Sequence, residues 1–309
     1  MTRLSSRLAG TSLLFATLGA ACGEDPAGEG ETSDGESGAT QCSAPADGDC
    51  PPSPGIVGAS LVARWYDAGP VRTLDLREVT TFAAGHLPGA AQLDPSTLRA
   101  TVDGVPGQVP DAATLREAFE TLGLRADDPL VVYGADNGTD PARVVWTLRY
   151  AGHRGPVWAL DAGWSAWAAG DWPSESMTTG WSTSTWDGEL RPDLRVDGAW
   201  VFDHLDDPDV QLFDARSSAE YTAGHIPGAV SLEWTRALEP DGFFSTLDDL
   251  RTLFAAAIEG KTLVTYCQTG SRASVDWLLL RTLGFDDVRL YDGSWSEWSA
   301  NPSWPVETP

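Results

Sequence analysis

The chain has 309 residues, of which 20 are Lys or Arg and 45 are Asp or Glu, so its formal net charge at pH 7 is −25. A length of this size predicts about two domains, and a hydrophobic content of 42% excludes a wholly disordered chain. Nucleic-acid and anionic-membrane surfaces need clustered cations, so the negative charge argues against both kinds of partner.

The N-terminus has the features of a secretory signal peptide, which we predict to span residues 1–21. A short cationic region precedes an apolar run over residues 13–18 and several small residues, a stretch too short for a stable membrane span. Cys22 follows where a bacterial lipoprotein signal carries its lipidated cysteine, although Gly19 stands where that pattern prefers Leu. We expect an envelope lipoprotein, in the outer membrane or periplasm, with the lipid as its only membrane contact. Plain secretion is the alternative.

Residues 22–55 form an acidic segment of low complexity. Between residues 23 and 50 it has eight acidic residues and no Lys or Arg, so it cannot bury enough apolar surface to fold and is predicted to be a solvated tether. Cys42 and Cys50 lie within it. In an exported protein we expect these cysteines to pair in a short structural disulfide, and we expect no metal site.

Beyond about residue 56 the chain repeats itself. Residues 75–90 match residues 214–229, and in both blocks an Asp precedes a His by eleven positions. A second pair of blocks follows in the same order: Asp161, Trp164, Trp167 and Trp172-Pro173 correspond to Asp292, Trp295, Trp298 and Trp304-Pro305. This indicates a duplicated domain rather than a solenoid, with copies at residues 56–173 and 194–309 and a linker at residues 174–193. Asp292 is expected to cap a turn.

Each copy alternates predicted strands and helices. In the first copy the predicted elements are a strand at Thr73-Leu74, a helix at 111–122, a strand at 130–133, a helix from about 141 and a strand at 157–160. In the second they are a strand at 210–213, a helix that Thr246 caps and that extends to Ile258, a strand at 263–266, a helix at 273–283 and a strand at 288–291. This order predicts an α/β fold in which each domain is a parallel sheet with helices on both faces.

The turn after the strand at 263–266 is where such a sheet collects chemistry, at the carboxyl end of its strands. It begins at Cys267 and continues with Gln268, Thr269, Gly270, Ser271 and Arg272. Loop N–H groups and the positive end of the next helix stabilise a thiolate there, which predicts a nucleophilic cysteine at neutral pH. The residues alone leave open that Cys267 is a small buried hydrophobe.

The region from residue 56 to residue 309 resembles the tandem-domain rhodaneses, the two-domain thiosulfate sulfurtransferases. Three motifs carry the resemblance: the block at 214–229, the loop at 267–272, and Tyr-Asp-Gly-Ser-Trp-Ser-Glu-Trp at 291–298, which is typical of the thiosulfate branch. The first copy has no cysteine between Leu130 and Arg143. The resemblance therefore implies a structural first domain that forms one wall of the cleft, and a catalytic second domain without a cofactor.

The implied reaction moves the sulfane sulfur of thiosulfate to cyanide or a thiol through a persulfide on Cys267. The resemblance implies that Arg216, Arg272 and the loop residues Gln268, Thr269, Gly270 and Ser271 bind the substrate, with Asp214 and Glu220 in support. The expected partners are a small sulfur donor and a thiophilic acceptor, and the expected state is a monomer.

Three other hypotheses are compatible with parts of this pattern. Cysteine phosphatases resemble Cys-x5-Arg, one residue longer than the loop from Cys267 to Arg272, and are disfavoured. Mercaptopyruvate sulfurtransferases share the fold and mechanism, but their loops resemble Cys-Gly-Ser-Gly-Val-Thr, so Gln268 and Arg272 favour thiosulfate. A non-enzymatic sulfur- or redox-binding module of the envelope would not require the intact nucleophile.

Overall fold

The computed structural model describes residues 50–69, 71–176, 180–257 and 260–308. The predicted signal peptide, Cys22, Cys42 and Ile258 lie outside the described residues. Cys50 is disulfide-bonded, but because its predicted partner is not described, the pairing with Cys42 stays a prediction. Among the described residues, no helix is long and apolar enough to cross a membrane.

The first half of the fold is a five-stranded parallel sheet with a separate hairpin. Its strands are β1 (Gly55–Val57), β2 (Arg72–Asp75), β3 (Ala91–Gln92), β4 (Ala100–Val102), β5 (Val105–Gln108), β6 (Leu130–Tyr133) and β7 (Val157–Leu160). Its helices are α1 (Ala59–Ala68), α2 (Val79–Ala84), α3 (Ala112–Leu122), α4 (Thr139–Tyr150) and α5 (Gly163–Ala169). The sheet order is β1-β7-β6-β2-β3, all parallel, while β4 and β5 pair with each other in antiparallel fashion.

The second half repeats this architecture. Its strands are β8 (Arg195–Val196), β9 (Val210–Asp214), β10 (Val230–Ser231), β11 (Thr262–Tyr266) and β12 (Val288–Tyr291), in the parallel order β10-β9-β11-β12-β8. Its helices are α6 (Gly198–Asp203), α7 (Ser218–Ala223), α8 (Leu247–Leu253), α9 (Ser271–Thr282) and α10 (Ser294–Trp298). Short 3-10 turns lie at Pro95–Leu98, Pro192–Leu194 and Trp234–Ala237. The predicted fold class, two parallel sheets flanked by helices, is confirmed.

Local sequence explains where several of these helices begin and end. Asp111 caps α3 by accepting the N–H of Thr114, and Gly123 ends it in the left-handed conformation at φ +85°. Thr246 caps α8 as predicted, through the N–H of Asp249. The described part of α8 ends at Leu253, short of the predicted end at Ile258. Helix α4 starts two residues before the predicted position, at Thr139.

Helices α4 and α9 pack against each other at the boundary between the two halves. Each is buried along most of its length, because one side of the helix lies on its own sheet and the other meets its counterpart. A helix buried all round does not need a polar face, and the apolar run Trp277 to Leu280 in α9 fits this position. The two halves therefore share one helical layer.

Polar contacts complete this interface, and they overturn the expectation that Asp292 caps a turn. Asp292 is fully buried after β12 and pairs with Arg143 of α4, with 2.7 Å between Oδ1 and Nη2. Its Oδ2 accepts the backbone N–H of Val109 at 2.8 Å. At the equivalent position of the first half, Asp161 accepts the N–H of Phe244 at 3.1 Å. Each aspartate thus holds the backbone of the other domain.

Substitution of Asp292 by Ala should destabilise the protein by about 3–5 kcal/mol, because it leaves the guanidinium of Arg143 buried without its carboxylate. Urea unfolding of the full chain measures this change. The matched control is Asp187→Ala, which removes the exposed pair with Arg154 and should cost less than about 1 kcal/mol. Equal losses in the two variants would contradict the structural weight assigned to Asp292.

Candidate active site

The loop at 267–272 lies at the carboxyl end of β11, the central strand of the second sheet. Cys267 directly follows the strand and is buried, and α9 begins four residues later. Gly270 turns the chain into the helix at φ +82°. A Cβ at this position would lie 2.8 Å from Nη1 of Arg143 and 3.1 Å from the carbonyl of Asp292. Both the backbone angle and the neighbouring domain therefore require glycine here.

The start of α10 fixes the backbone around the cysteine. The N–H of Cys267 donates to Oγ of Ser294 at 3.2 Å, and its carbonyl accepts the N–H of Trp295 at 3.0 Å. Next along the loop, the Gln268 carbonyl accepts the N–H of Ser296, and the Gln268 side-chain amide donates to Oγ of the same serine, each at 3.0 Å. The peptide groups on both sides of the cysteine are thus held by one helix terminus.

A row of backbone N–H groups is left without an acceptor beside this cysteine. Within the described part of the chain, the N–H groups of residues 268–272 donate no hydrogen bond. They belong to the loop and the first turn of α9, where unpaired N–H groups and the helix dipole favour a negative charge. The hydroxyl of Ser271 is also buried without a hydrogen-bond partner among the described residues. This arrangement can bind an anion.

The cation of this site is Arg272. Its two Nη atoms donate to the two carboxylate oxygens of Glu220 at 2.7 and 2.8 Å. The hydrogen bond to Arg272 lowers the pKa of Glu220 to about 2, and hydrogen bonds from Ser217 contribute. The pKa of Arg272 is raised, mainly by Glu220 and further by its interaction with Cys267. The Glu220 carboxylate thus holds the guanidinium at the end of the loop.

Arg216, whose predicted role is to bind the donor, lies in a buried ion pair. This side chain is buried, donates to both oxygens of Asp214 at 2.6–3.1 Å, and also donates to the Gly224 carbonyl at 2.8 Å. In the first domain, Arg77 makes the same contacts with Asp75 and a carbonyl. The pair thus occurs in both copies and contributes to the fold of each, and the donor-binding role of Arg216 stays a prediction.

The first domain also reaches the loop directly. Gly107, in the hairpin of β4 and β5, lies so close to Thr269 that a Cβ on it would be 3.1 Å from the Cβ of that threonine. The hairpin was not predicted, although Asp103-Gly104 between two valines is a strong signal for a two-residue turn. Both residues have positive φ, +51° and +81°, as such a turn requires.

The first domain has its own loop in the equivalent place. Residues 134–138 follow β6 and read Gly-Ala-Asp-Asn-Gly, and a cavity of about 490 Å³ opens beside them. The N–H groups of residues 135–139 are likewise without an acceptor in the described structure, but Gly134 stands where the second domain has Cys267. The first domain keeps the anion-binding backbone and lacks a nucleophile.

The contribution of the Glu220–Arg272 pair to stability should depend on pH. Ionised Glu220 stabilises the folded state, so its contribution is complete above the ordinary Glu pKa of 4.5 and is lost as the pH falls toward about 2. The difference in unfolding free energy between wild type and Glu220→Gln should shrink over that range in urea titrations. Glu117→Gln, on an exposed helix face, should show no such trend. A pH-independent difference for Glu220→Gln would contradict the pairing.

Comparison with known proteins gives a consistent family. The rhodanese-like domain family matches residues 59–170 and again residues 197–301. The chain is similar to a thiosulfate sulfurtransferase of Azotobacter vinelandii, with 32% identity over 81% of this chain and 95% of the relative. It is also similar to a probable 3-mercaptopyruvate sulfurtransferase of Pseudomonas aeruginosa, with 33% identity over 74% of this chain and 86% of the relative.

A solved structure extends the comparison to the fold. The crystal structure of SseA from Escherichia coli, described as a 3-mercaptopyruvate sulfotransferase, superposes with a TM-score of 0.70 at 28% identity and covers 79% of this chain and 100% of that one. These relatives differ in the donor named for them. The chain therefore belongs to the rhodanese-like family of sulfurtransferases.

Proposed function

We propose that this protein is a thiosulfate sulfurtransferase in which Cys267 carries the transferred sulfur as a persulfide. The observation that supports it most directly is the row of unpaired N–H groups at 268–272 beside the buried Cys267. Such a row stabilises a negative charge on sulfur before and after transfer. The first domain has the same row without the cysteine, so the reaction is assigned to the second domain alone.

The first half-reaction loads the enzyme. The Cys267 thiolate attacks the outer sulfur of thiosulfate, a new S–S bond forms, and the S–S bond of thiosulfate breaks. The electron pair of the thiolate forms the new bond, sulfite leaves with the electron pair of the broken bond, and the transferred sulfur keeps its negative charge as the terminal sulfur of the persulfide. No oxidant or reductant is consumed. The loop N–H groups hold the persulfide anion as a preorganised anion hole does.

The second half-reaction unloads it. A nucleophilic acceptor, cyanide or a thiolate, attacks the terminal persulfide sulfur, and the electron pair of the broken S–S bond returns to Cys267 as the thiolate. With cyanide the product is thiocyanate. Because the enzyme charge is the same at the start and the end of the cycle, Arg272 and the loop serve both steps without a proton donor.

The choice of donor rests on the size and charge of the site. Thiosulfate is a small dianion, and the overall negative field of this protein repels it, so a local cation at the loop matters. Arg272 supplies that cation, and several relatives named as thiosulfate sulfurtransferases align over more than four fifths of the chain. 3-Mercaptopyruvate is the alternative donor, favoured by the relatives named for it.

We further propose that the protein acts outside the cytoplasm, held to the envelope by a lipid on Cys22. The sequence of the N-terminal 22 residues supports this proposal. A Cys22→Ala variant should lose its membrane association, and cell fractionation of the variant and the wild type measures this.

Cys267→Ala should abolish thiocyanate formation from thiosulfate and cyanide, because no other described cysteine is a free thiol. The control is Asp136→Asn, an exposed position in the cysteine-less loop, which should keep wild-type activity. Both are assayed in the full chain, with 3-mercaptopyruvate run in parallel. Turnover with mercaptopyruvate alone would move the donor assignment, and turnover with neither donor would refute the proposed function.

Arg272→Gln should lower kcat/KM for thiosulfate by about 10- to 100-fold, the scale of one lost hydrogen bond to a charged group. The substitution also leaves Glu220 without its partner, so the double variant Glu220→Gln/Arg272→Gln separates the two effects. We expect the double variant to stay at least about tenfold below wild type, since it also lacks the cation. Recovery to wild-type kcat/KM in the double variant would show that the only effect of Arg272 is to neutralise Glu220.

A further inference from the structure

One buried side chain beside the nucleophile distinguishes the catalytic domain from its cysteine-less copy. Ser294 opens α10 and is fully buried. Its hydroxyl accepts the N–H of Cys267 at 3.2 Å and donates to the Tyr291 carbonyl at 2.7 Å. The hydroxyl thereby ties the backbone of the nucleophile to the end of β12, the neighbouring strand of the sheet.

Ser294 occupies a backbone conformation that serine rarely adopts. Its φ is +51°, in the left-handed region where Cβ crowds the backbone and glycine is preferred. The corresponding residue of the first domain is Gly163, at φ +52°. The φ angles of these two residues match, but the residues before them differ, since Ala162 has a φ of +53° and Gly293 a φ of −67°. A residue held in such a conformation persists where the surrounding structure over-determines it, and these places cluster at active sites.

Two backbone hydrogen bonds around this position are shared by the two copies. In the first domain the N–H groups of Trp164 and Ser165 donate to the carbonyls of Gly134 and Ala135 at 2.9 and 3.0 Å. Trp295 and Ser296 do the same for Cys267 and Gln268 in the second domain. The bond from the Cys267 N–H to a side chain is the addition.

The first domain has no room for that addition. A Cβ on Gly163 would lie 2.5 Å from the Gly134 carbonyl and 3.2 Å from the N–H nitrogen of Asp136. In the second domain the backbone accommodates the side chain of Ser294, and its hydroxyl links the N–H of Cys267 to the Tyr291 carbonyl.

We propose that Ser294 is a positioning residue for Cys267: its hydroxyl holds the cysteine N–H so that the thiolate is presented to the sulfur donor. The inference rests on the proposed function, since it assigns the residue a part in loading Cys267. The hydroxyl does not contact the transferred sulfur. It acts on the orientation of the peptide group that precedes the nucleophile, and this predicts an effect on the rate of sulfur loading more than on donor affinity.

The test compares Ser294→Gly and Ser294→Ala in the full chain. Sulfite release is followed in a single turnover with saturating thiosulfate and no acceptor, and thermal unfolding is recorded for each variant. We expect both variants to load sulfur about five- to tenfold more slowly, the effect of one neutral hydrogen bond, with the half-saturating thiosulfate concentration within about twofold of wild type. Ser294→Gly should unfold at no lower temperature than Ser294→Ala, because glycine relieves the positive φ.

Ser299→Ala is the matched control. Ser299 is exposed at the other end of α10 and donates to a carbonyl of its own helix, so its removal should leave loading at the wild-type rate. Loading within twofold of wild type in both Ser294 variants would overturn the inference, as would slowing that follows the loss of thermal stability from one variant to the other. No sulfite release by wild type would refute the proposed function itself, and the inference with it.

Discussion

The buried ion pair between Asp292 and Arg143 is the contact on which the geometry of the site depends. A buried carboxylate and a buried guanidinium stabilise each other, and removing either one leaves the other charge without its partner. Here the carboxylate also holds the N–H of Val109, and the guanidinium lies against Gly270. The interface between the domains and the conformation of the loop are therefore fixed by the same charges. The conformation of the loop at 267–272 therefore depends on both domains, although only one contains its residues.

The two copies show which parts of the scaffold are independent of chemistry. The pairs Asp75–Arg77 and Asp214–Arg216 have the same hydrogen bonds to the same places, and both loops leave a row of N–H groups unpaired. The copies differ at two positions that touch, where Gly134 and Gly163 replace Cys267 and Ser294. A nucleophile and the hydroxyl that holds its backbone are thus present together or absent together. The anion-binding backbone is common to both.

The sequence predicted the regular elements well because their hydrophobic patterns are long and unambiguous. Both ends of strand β6 agree with the prediction, and the start of β11 differs from it by one residue. A short apolar run between a turn and a helix cap is typical of a buried strand. The duplicated sequence blocks indicate that the second half has the same fold as the first. The loop at 267–272 is recognisable from sequence because functional sites lie at the carboxyl ends of parallel strands, and a cysteine directly follows a predicted strand here.

The contacts between distant residues were out of reach of the same reasoning. Arg216 follows Asp214 in a family motif, and nothing local shows that the aspartate neutralises it. The sequence predicts only a turn cap for Asp292. Its actual partners, Arg143 and Val109, are more than a hundred residues away in the chain, so no local pattern indicates them. Ser294 was recognised as part of a motif, but its hydrogen bond to Cys267 and its positive φ depend on the position of β12 against β11. The hairpin of β4 and β5 is different, since Asp103-Gly104 was a local signal that could have been read.

The burial of α9 on both sides has a consequence for the history of the chain. The cysteine-less copy covers one face of α9, the helix that follows Cys267. That copy can therefore lose a reactive residue without being dispensable for the fold. Deleting it would expose the apolar run at 277–280 and the charge of Asp292 together. Selection on the fold of the second domain is then sufficient to preserve the first, and a gene encoding the second half alone would need a new polar surface on α9.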